Sequence, residues 1–199
     1  MHLCRSLTAL FVLQMFLFCV PSPAYSQSTE QREFEVPGTG YVIQFKDYRE
    51  DQERPPPQLV DALICWVKCV TELPEPGRAP NFRFIQQAAM PNLAIGDQPG
   101  LKQNPGPNML DIEALYDRKN GTIVLPETWR PSPQSLSSLV HELVHHLQAE
   151  SNLTYACPAA AEALAYDAQK RWLELFGTTL EESFEIDRLT LYVLTNCGF

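Results

Sequence analysis

The 199-residue chain is expected to fold as an α+β domain, a small antiparallel sheet or hairpin packed on a mainly helical C-terminal half. Three observations predict it. Asn120-Gly121, with apolar residues on both sides, is the strongest hairpin signal in the chain. From Pro133 onward apolar residues recur at three- and four-residue intervals, the period of an amphipathic helix. Behind an N-terminal targeting segment roughly 170 residues remain, enough for one domain with a single core.

The targeting segment comes first. Arg5 precedes an apolar run from Leu7 to Val20, and Ala24-Tyr25-Ser26 follows as a small-x-small cleavage site. The run is shorter than the roughly 20 residues that a spanning helix needs. Residues 1–26 therefore read as a signal peptide and residues 27–199 as one exported domain, periplasmic or secreted, with no membrane insertion after cleavage. Asp and Glu number 24 against 15 Lys and Arg, and no basic cluster appears, which argues against nucleic acid as a partner. Nothing in the sequence fixes the oligomeric state, and a monomer is the working expectation.

Export makes disulfides the default for Cys65, Cys69, Cys157 and Cys197. Four cysteines allow three connectivities. Cys65 and Cys69 stand four apart in a helical pattern, a poor geometry for bridging each other. Cys157 and Cys197, in or beside loops of the C-terminal half, form the preferred pair. A zinc-binding cluster of all four is disfavoured, because C-x3-C on a helix lacks the usual turn.

Along the chain, "FEVPGTGYVIQF" (34–45) reads as two short strands around Pro37-Gly38-Thr39-Gly40. Leu59, Leu63, Trp66, Val67 and Val70 predict a helix near 57–73, bounded by prolines. Residues 80–107, rich in Pro, Gly, Asn and Gln, read mostly as loop with a short strand around Phe82 to Ile85. Strands are expected near 113–117 and 121–125, the second closed by Pro126.

Ser132 as N-cap and Pro133 at the first helical position open a helix to about 150, with Leu136, Leu139, Val140, Leu143, Val144 and Leu147 as its apolar stripe. A second helix starts near Pro158 and stops at Gly177, its apolar face Ala161, Leu164, Ala168, Trp172 and Leu175. A third should run from Thr178, capped with Glu181, to about Thr195.

The first of these helices carries "HELVHH". His141 and His145 are four apart, so they share a face with Cβ atoms roughly 6 Å apart and can converge on one zinc. Glu142 lies about 100° around the helix, placed to act on a metal-held water as general base. Ser138 and Gln148 continue the polar face away from the apolar stripe. A third ligand is required. The H-x-x-G-x-x-H continuation fails, since Gln148 and Ser151 stand where Gly and His would be. Glu150 points away. Glu162, on the early turns of the next helix and ringed by Ala159, Ala160, Ala161, Ala163 and Ala165, can meet the histidines if the two helices pack antiparallel.

"HELVHH" followed by "AEALAY" resembles the gluzincin branch of zinc metallopeptidases, and in particular its short, exported bacterial members of unassigned function. The resemblance covers about Leu115 to Leu175. It implies a minimal zincin-like peptidase with one zinc ion per chain, His141, His145 and Glu162 as ligands and Glu142 as base. Because gluzincins stabilise the oxyanion with a Tyr or His, it also nominates Tyr166, with Tyr155 and His146 as alternatives. It further implies that the strand in "GTIVLP" is a sheet edge that binds an extended peptide through its main chain, and that a carboxylate such as Asp167 orients His141. A chain this small leaves no room for a second lobe, so the cleft should be shallow and the substrate an exposed peptide or a cell-wall peptide. Two rivals stand beside the peptidase. One is a non-catalytic binding module braced by zinc, and the other a metal-free domain stapled by disulfides.

Overall fold

A computed structural model describes residues 33–45, 55–95 and 112–198. The expected signal peptide and residues 96–107 of the expected loop lie outside the described residues. The described chain is α+β, with a two-stranded antiparallel sheet, a three-stranded sheet and six α-helices.

Strands β1 (Glu33–Glu35) and β2 (Val42–Gln44) form the first hairpin, with Phe34 opposite Ile43. Gly38 and Gly40 sit at φ 76° and 71° in its turn, a backbone region open mainly to glycine. The hairpin lays Val36 and Ile43 on the core. Helix α1 (Pro57–Thr71) starts at a proline, which needs no N–H partner there, and ends at Glu72 in the left-handed conformation. Its buried face carries Leu59, Leu63, Trp66 and Val67.

The three-stranded sheet contains β3 (Asn81–Ile85), β4 (Leu115–Asp117) and β5 (Thr122–Pro126), in the order β3-β5-β4. The Asn120-Gly121 turn forms as expected, with Asp117 bonding to the backbone of Lys119 and to the Asn120 amide. Gly121 sits at φ 59°, a conformation that favours glycine, and a Cβ there would come to 3.0 Å from the Arg78 guanidinium. The sheet differs from the expected antiparallel hairpin because β3 joins the far side of β5 in parallel register. This corrects the reading of "GTIVLP" as an edge. β5 is the central strand, and Ile123, Val124 and Leu125 are all buried, the unbroken apolar run that a strand covered on both faces demands. Between β3 and β4 the expected loop holds a 3-10 turn (Gln87–Ala89) and helix α2 (Met90–Ile95), which buries Met90. Six residues are too few for a helical period to show in the sequence.

Helix α3 spans Pro133–Glu150, as expected, with the Ser132 hydroxyl accepting from Ser135 N–H and the Ser135 side chain answering Ser132 N–H. All six residues of its apolar stripe are fully buried, each contributing about 1.5–3 kcal/mol by removal from water. Helix α4 (Pro158–Glu174) returns antiparallel along α3 and packs Ala165, Ala168, Trp172 and Leu173 inward. Leu175, expected on that face, is exposed, because α4 ends at Glu174 and the turn to Gly177 (φ 71°) swings Phe176 inward onto Phe34. Trp66 of α1 and Trp172 of α4 meet edge to face at 5.1 Å, where the helices close over the core.

The expected single terminal helix is two, α5 (Leu180–Phe184) and α6 (Arg188–Thr195). Glu185 adopts φ 56° between them, and Asp187 caps α6 by accepting from Thr190 N–H at 2.8 Å. The N-cap of α5 is Thr179 with Glu182, one residue beyond the pair read from the sequence. Cys197 at the end of α6 is bonded to Cys157 at the start of α4, the preferred pairing. No helix among the described residues is long and apolar enough to cross a membrane.

The disulfide closes a loop with a sequence separation of 40. Replacing both cysteines with serine is expected to lower the unfolding free energy by about 4 kcal/mol in urea denaturation. A loss under about 1 kcal/mol would show that α6 packing alone confines the loop.

Candidate metal centre

Helix geometry first aligns the donors of α3. Ser138, His141, His145 and Gln148 fall on one stripe, opposite the buried leucines and valines. The antiparallel return of α4 then brings Glu162 over that stripe. His141 Nε2 lies 3.1 Å from His145 Nε2 and 3.2 Å from Glu162 Oε2, and His145 Nε2 lies 3.3 Å from Glu162 Oε1. These three residues are a group, among those described, whose donor atoms all fall within 4.8 Å of one another.

The spacing fits a metal ion. Donors about 2.05 Å from a tetrahedral zinc stand about 3.3 Å from each other, the edge of the tetrahedron. The donor set, two imidazoles and a carboxylate, is one that zinc takes. The Glu162 side chain is 36 % exposed and those of His141 and His145 are 11 % and 17 %, so the group opens to solvent on the glutamate side.

Charge in the group is arranged for a cation. Burial disfavours the His145 imidazolium, but the hydrogen bond and charge of Glu162, with the charge of Glu142, outweigh it and raise its pKa to about 9. Burial likewise works against the Glu162 carboxylate, yet its bonds to both histidines hold it well below the usual carboxylate range. The cluster therefore favours a proton on His145 beside the Glu162 carboxylate.

The other residues singled out from the sequence sort cleanly. Glu142 is half-buried beside the group, and its charge is felt at both His145 and Tyr166. The Tyr166 ring stands edge-on to His141 at 4.7 Å. Burial, then the charges of Glu162 and Glu142, push its pKa up to about 12, so it keeps its proton at neutral pH. Tyr155 reaches Gln148 rather than the donors.

His146 is not part of the centre. It is fully buried on another side of α3, with Nε2 donating to the Arg78 carbonyl at 2.9 Å and Nδ1 accepting from Tyr116 at 3.2 Å. Asp167 does not orient His141 either, because it faces outward and pairs with Arg171 at 2.9 Å. Glu150 points away as expected, to Arg78 at 2.8 Å. The other ring nitrogens of His141 and His145 meet amides that the sequence reading did not assign. Gln169 Oε1 is 3.0 Å from His141 Nδ1, and Gln148 Oε1 is 2.9 Å from His145 Nδ1. A buried polar residue on each facing helix stripe was the available signal.

The fold and this cluster together define a mixed α+β domain whose paired helices bring two histidines and a glutamate to one point. The chain belongs to the DUF6647 family, a domain of unknown function whose family model matches residues 52–198. No curated protein and no solved structure matches it.

Loss of the fully buried His146 ring would break its bonds to the Tyr116 hydroxyl and the Arg78 carbonyl and leave a cavity. His146→Ala should therefore cost about 2–3 kcal/mol of stability by denaturant unfolding while leaving metal content unchanged. Metal loss at unchanged stability would place His146 in the centre after all.

Proposed function

We propose that the protein is an exported zinc-dependent metallopeptidase that hydrolyses peptide or peptide-like amide bonds. The observation that carries this is the meeting of His141, His145 and Glu162 at the edge lengths of a zinc tetrahedron, open on one side. A three-residue group with an accessible face matches a catalytic rather than a closed structural site. The resemblance of "HELVHH" and "AEALAY" to gluzincins supports the same ligand set.

In this reading His141 Nε2, His145 Nε2 and the Glu162 carboxylate hold one zinc ion per chain. When bound, zinc supplies Lewis acidity, polarising the scissile carbonyl and acidifying a water. Glu142 takes the proton of the attacking water and passes it to the leaving amine. Tyr166, protonated at neutral pH, donates its hydroxyl to the oxygen on which charge develops. β4 takes the peptide-binding role first read for β5. Glu113 reaches Ser138 and Tyr116 reaches His146, so β4 runs beside the metal helix, and its outer edge has no strand partner among the described residues. Export is supported by the signal-like N-terminus and by the Cys157–Cys197 pair.

Elemental mass spectrometry on purified protein should find about one zinc per chain in the wild type and clear loss in Glu162→Ala. Glu142→Gln should keep the metal and lose at least about 100-fold in peptide hydrolysis. Hydrolysis that survives Glu142→Gln would remove the peptidase mechanism.

Zinc must also displace the proton that His145 holds below about pH 9. Its apparent affinity, measured by chelator competition, is expected to rise about tenfold per pH unit from pH 7 towards 9 and then level off. An affinity flat from pH 7 to 8.5 would contradict this.

A further inference from the structure

We infer that Gln148 and Gln169 are positioning residues for the metal centre, two oriented neutral amides that lock both ligand histidines in one tautomer and aim both Nε2 lone pairs at the ion. The inference rests on the zinc reading above and adds what selects the ligating atoms.

The two ends of a glutamine amide are alike in shape, so what the far end meets decides which end faces the histidine. Gln148 Nε2 lies 2.9 Å from the Ala161 carbonyl, which can only accept, so the nitrogen must point there. Gln148 Oε1 is then the atom facing His145 Nδ1 at 2.9 Å. Because that oxygen can only accept, Nδ1 carries the proton. In the neutral imidazole that binds a metal, the one N–H is then on Nδ1, and the Nε2 lone pair of His145 is the one offered to the centre.

The same logic runs through Gln169 by a longer chain. Ser137 donates its hydroxyl to the Gln134 carbonyl at 2.7 Å, which leaves Ser137 Oγ as acceptor for Gln169 Nε2 at 3.4 Å. Gln169 Oε1 therefore faces His141 Nδ1 at 3.0 Å and accepts its N–H, so that in the neutral, metal-binding imidazole Nε2 is the nitrogen offered to the centre. Both chains end on backbone carbonyls, which cannot reverse. Both amides are buried, at 2 % and 5 % exposure, so water does not compete for them.

Two consequences follow. Gln148 joins His145 on α3 to the carbonyl of Ala161, the residue before Glu162, so one amide sets the register between two ligands on different helices. Neutral amides also leave Glu162 as the one negative ligand of the centre, where a carboxylate behind either histidine would add a second charge.

The test is zinc affinity, by chelator competition, of Gln148→Leu, Gln169→Leu, Gln148→Glu and Gln169→Glu, each confirmed as folded by its thermal transition. The leucine variants should bind zinc about 10–100-fold more weakly than the wild type, and the glutamate variants, which keep an acceptor for Nδ1–H, more tightly than the leucine variants at the same positions. Folded leucine variants with wild-type affinity would overturn the inference, as would equal losses in leucine and glutamate variants, which would reduce the amides to packing. Nitrogen NMR of the zinc-loaded wild type decides the point even where a variant fails to fold. Protonated Nδ1 and zinc-bound Nε2 on both histidines support the inference, and Nδ1 ligation by either overturns it. A wild type that binds no zinc removes the zinc reading, and this inference with it.

Discussion

The antiparallel register of α3 on α4 is the constraint on which the rest depends. Leu136, Leu139, Leu143 and Leu147 on one side of α3 are wholly buried, which fixes the helix in rotation. Ala165 and Ala168 let α4 approach closely, and Trp172 locks its far end against Trp66. With rotation and approach both set by apolar packing, the polar stripe of α3 has one direction in which to face. The three donors meet because the core leaves the helices no other seating, and the cost of gathering them is met by burial elsewhere.

The elements around this pair act as supports. The central strand β5 and helix α1 cover the apolar side of the helices, and the β1–β2 hairpin closes the aromatic end through Phe34 and Phe176. His146, next in sequence to a donor, faces a different side of the helix and fastens α3 to β4 and to the segment after α1. Adjacent histidines on one helix thus serve two ends, because a step of about 100° moves a side chain from one surface to another.

Much of this was legible in the sequence where a local rule had no competitor. Ser132-Pro133 marked the start of α3, the apolar stripe its buried side, and Asn120-Gly121 the hairpin. Spacing alone joined His141 to His145, and the helix that follows brought in Glu162. What escaped the reading depended on partners distant in sequence. The parallel pairing of β3 with β5 crosses a long intervening segment, and no local pattern encodes it. Gln169 became the partner of His141, rather than Asp167, through the rotation of α4, in which residue 169 faces α3 and residue 167 faces water. The split between α5 and α6 turned on Asp187, whose cap outcompeted continuation of the helix.

The Cys157–Cys197 bond has a topological consequence as well as an energetic one. It makes the segment from α4 to α6 a closed ring, with Glu162 on the ring and His141 and His145 on the chain that leads into it. A single backbone break anywhere between residues 157 and 197 opens the ring without releasing a fragment. Glu162 then stays covalently joined to the helix that bears the histidines, whichever peptide bond is cut. Within the ring, Glu162 is thus tied to Cys157, where the chain from the histidines enters, by two independent covalent routes.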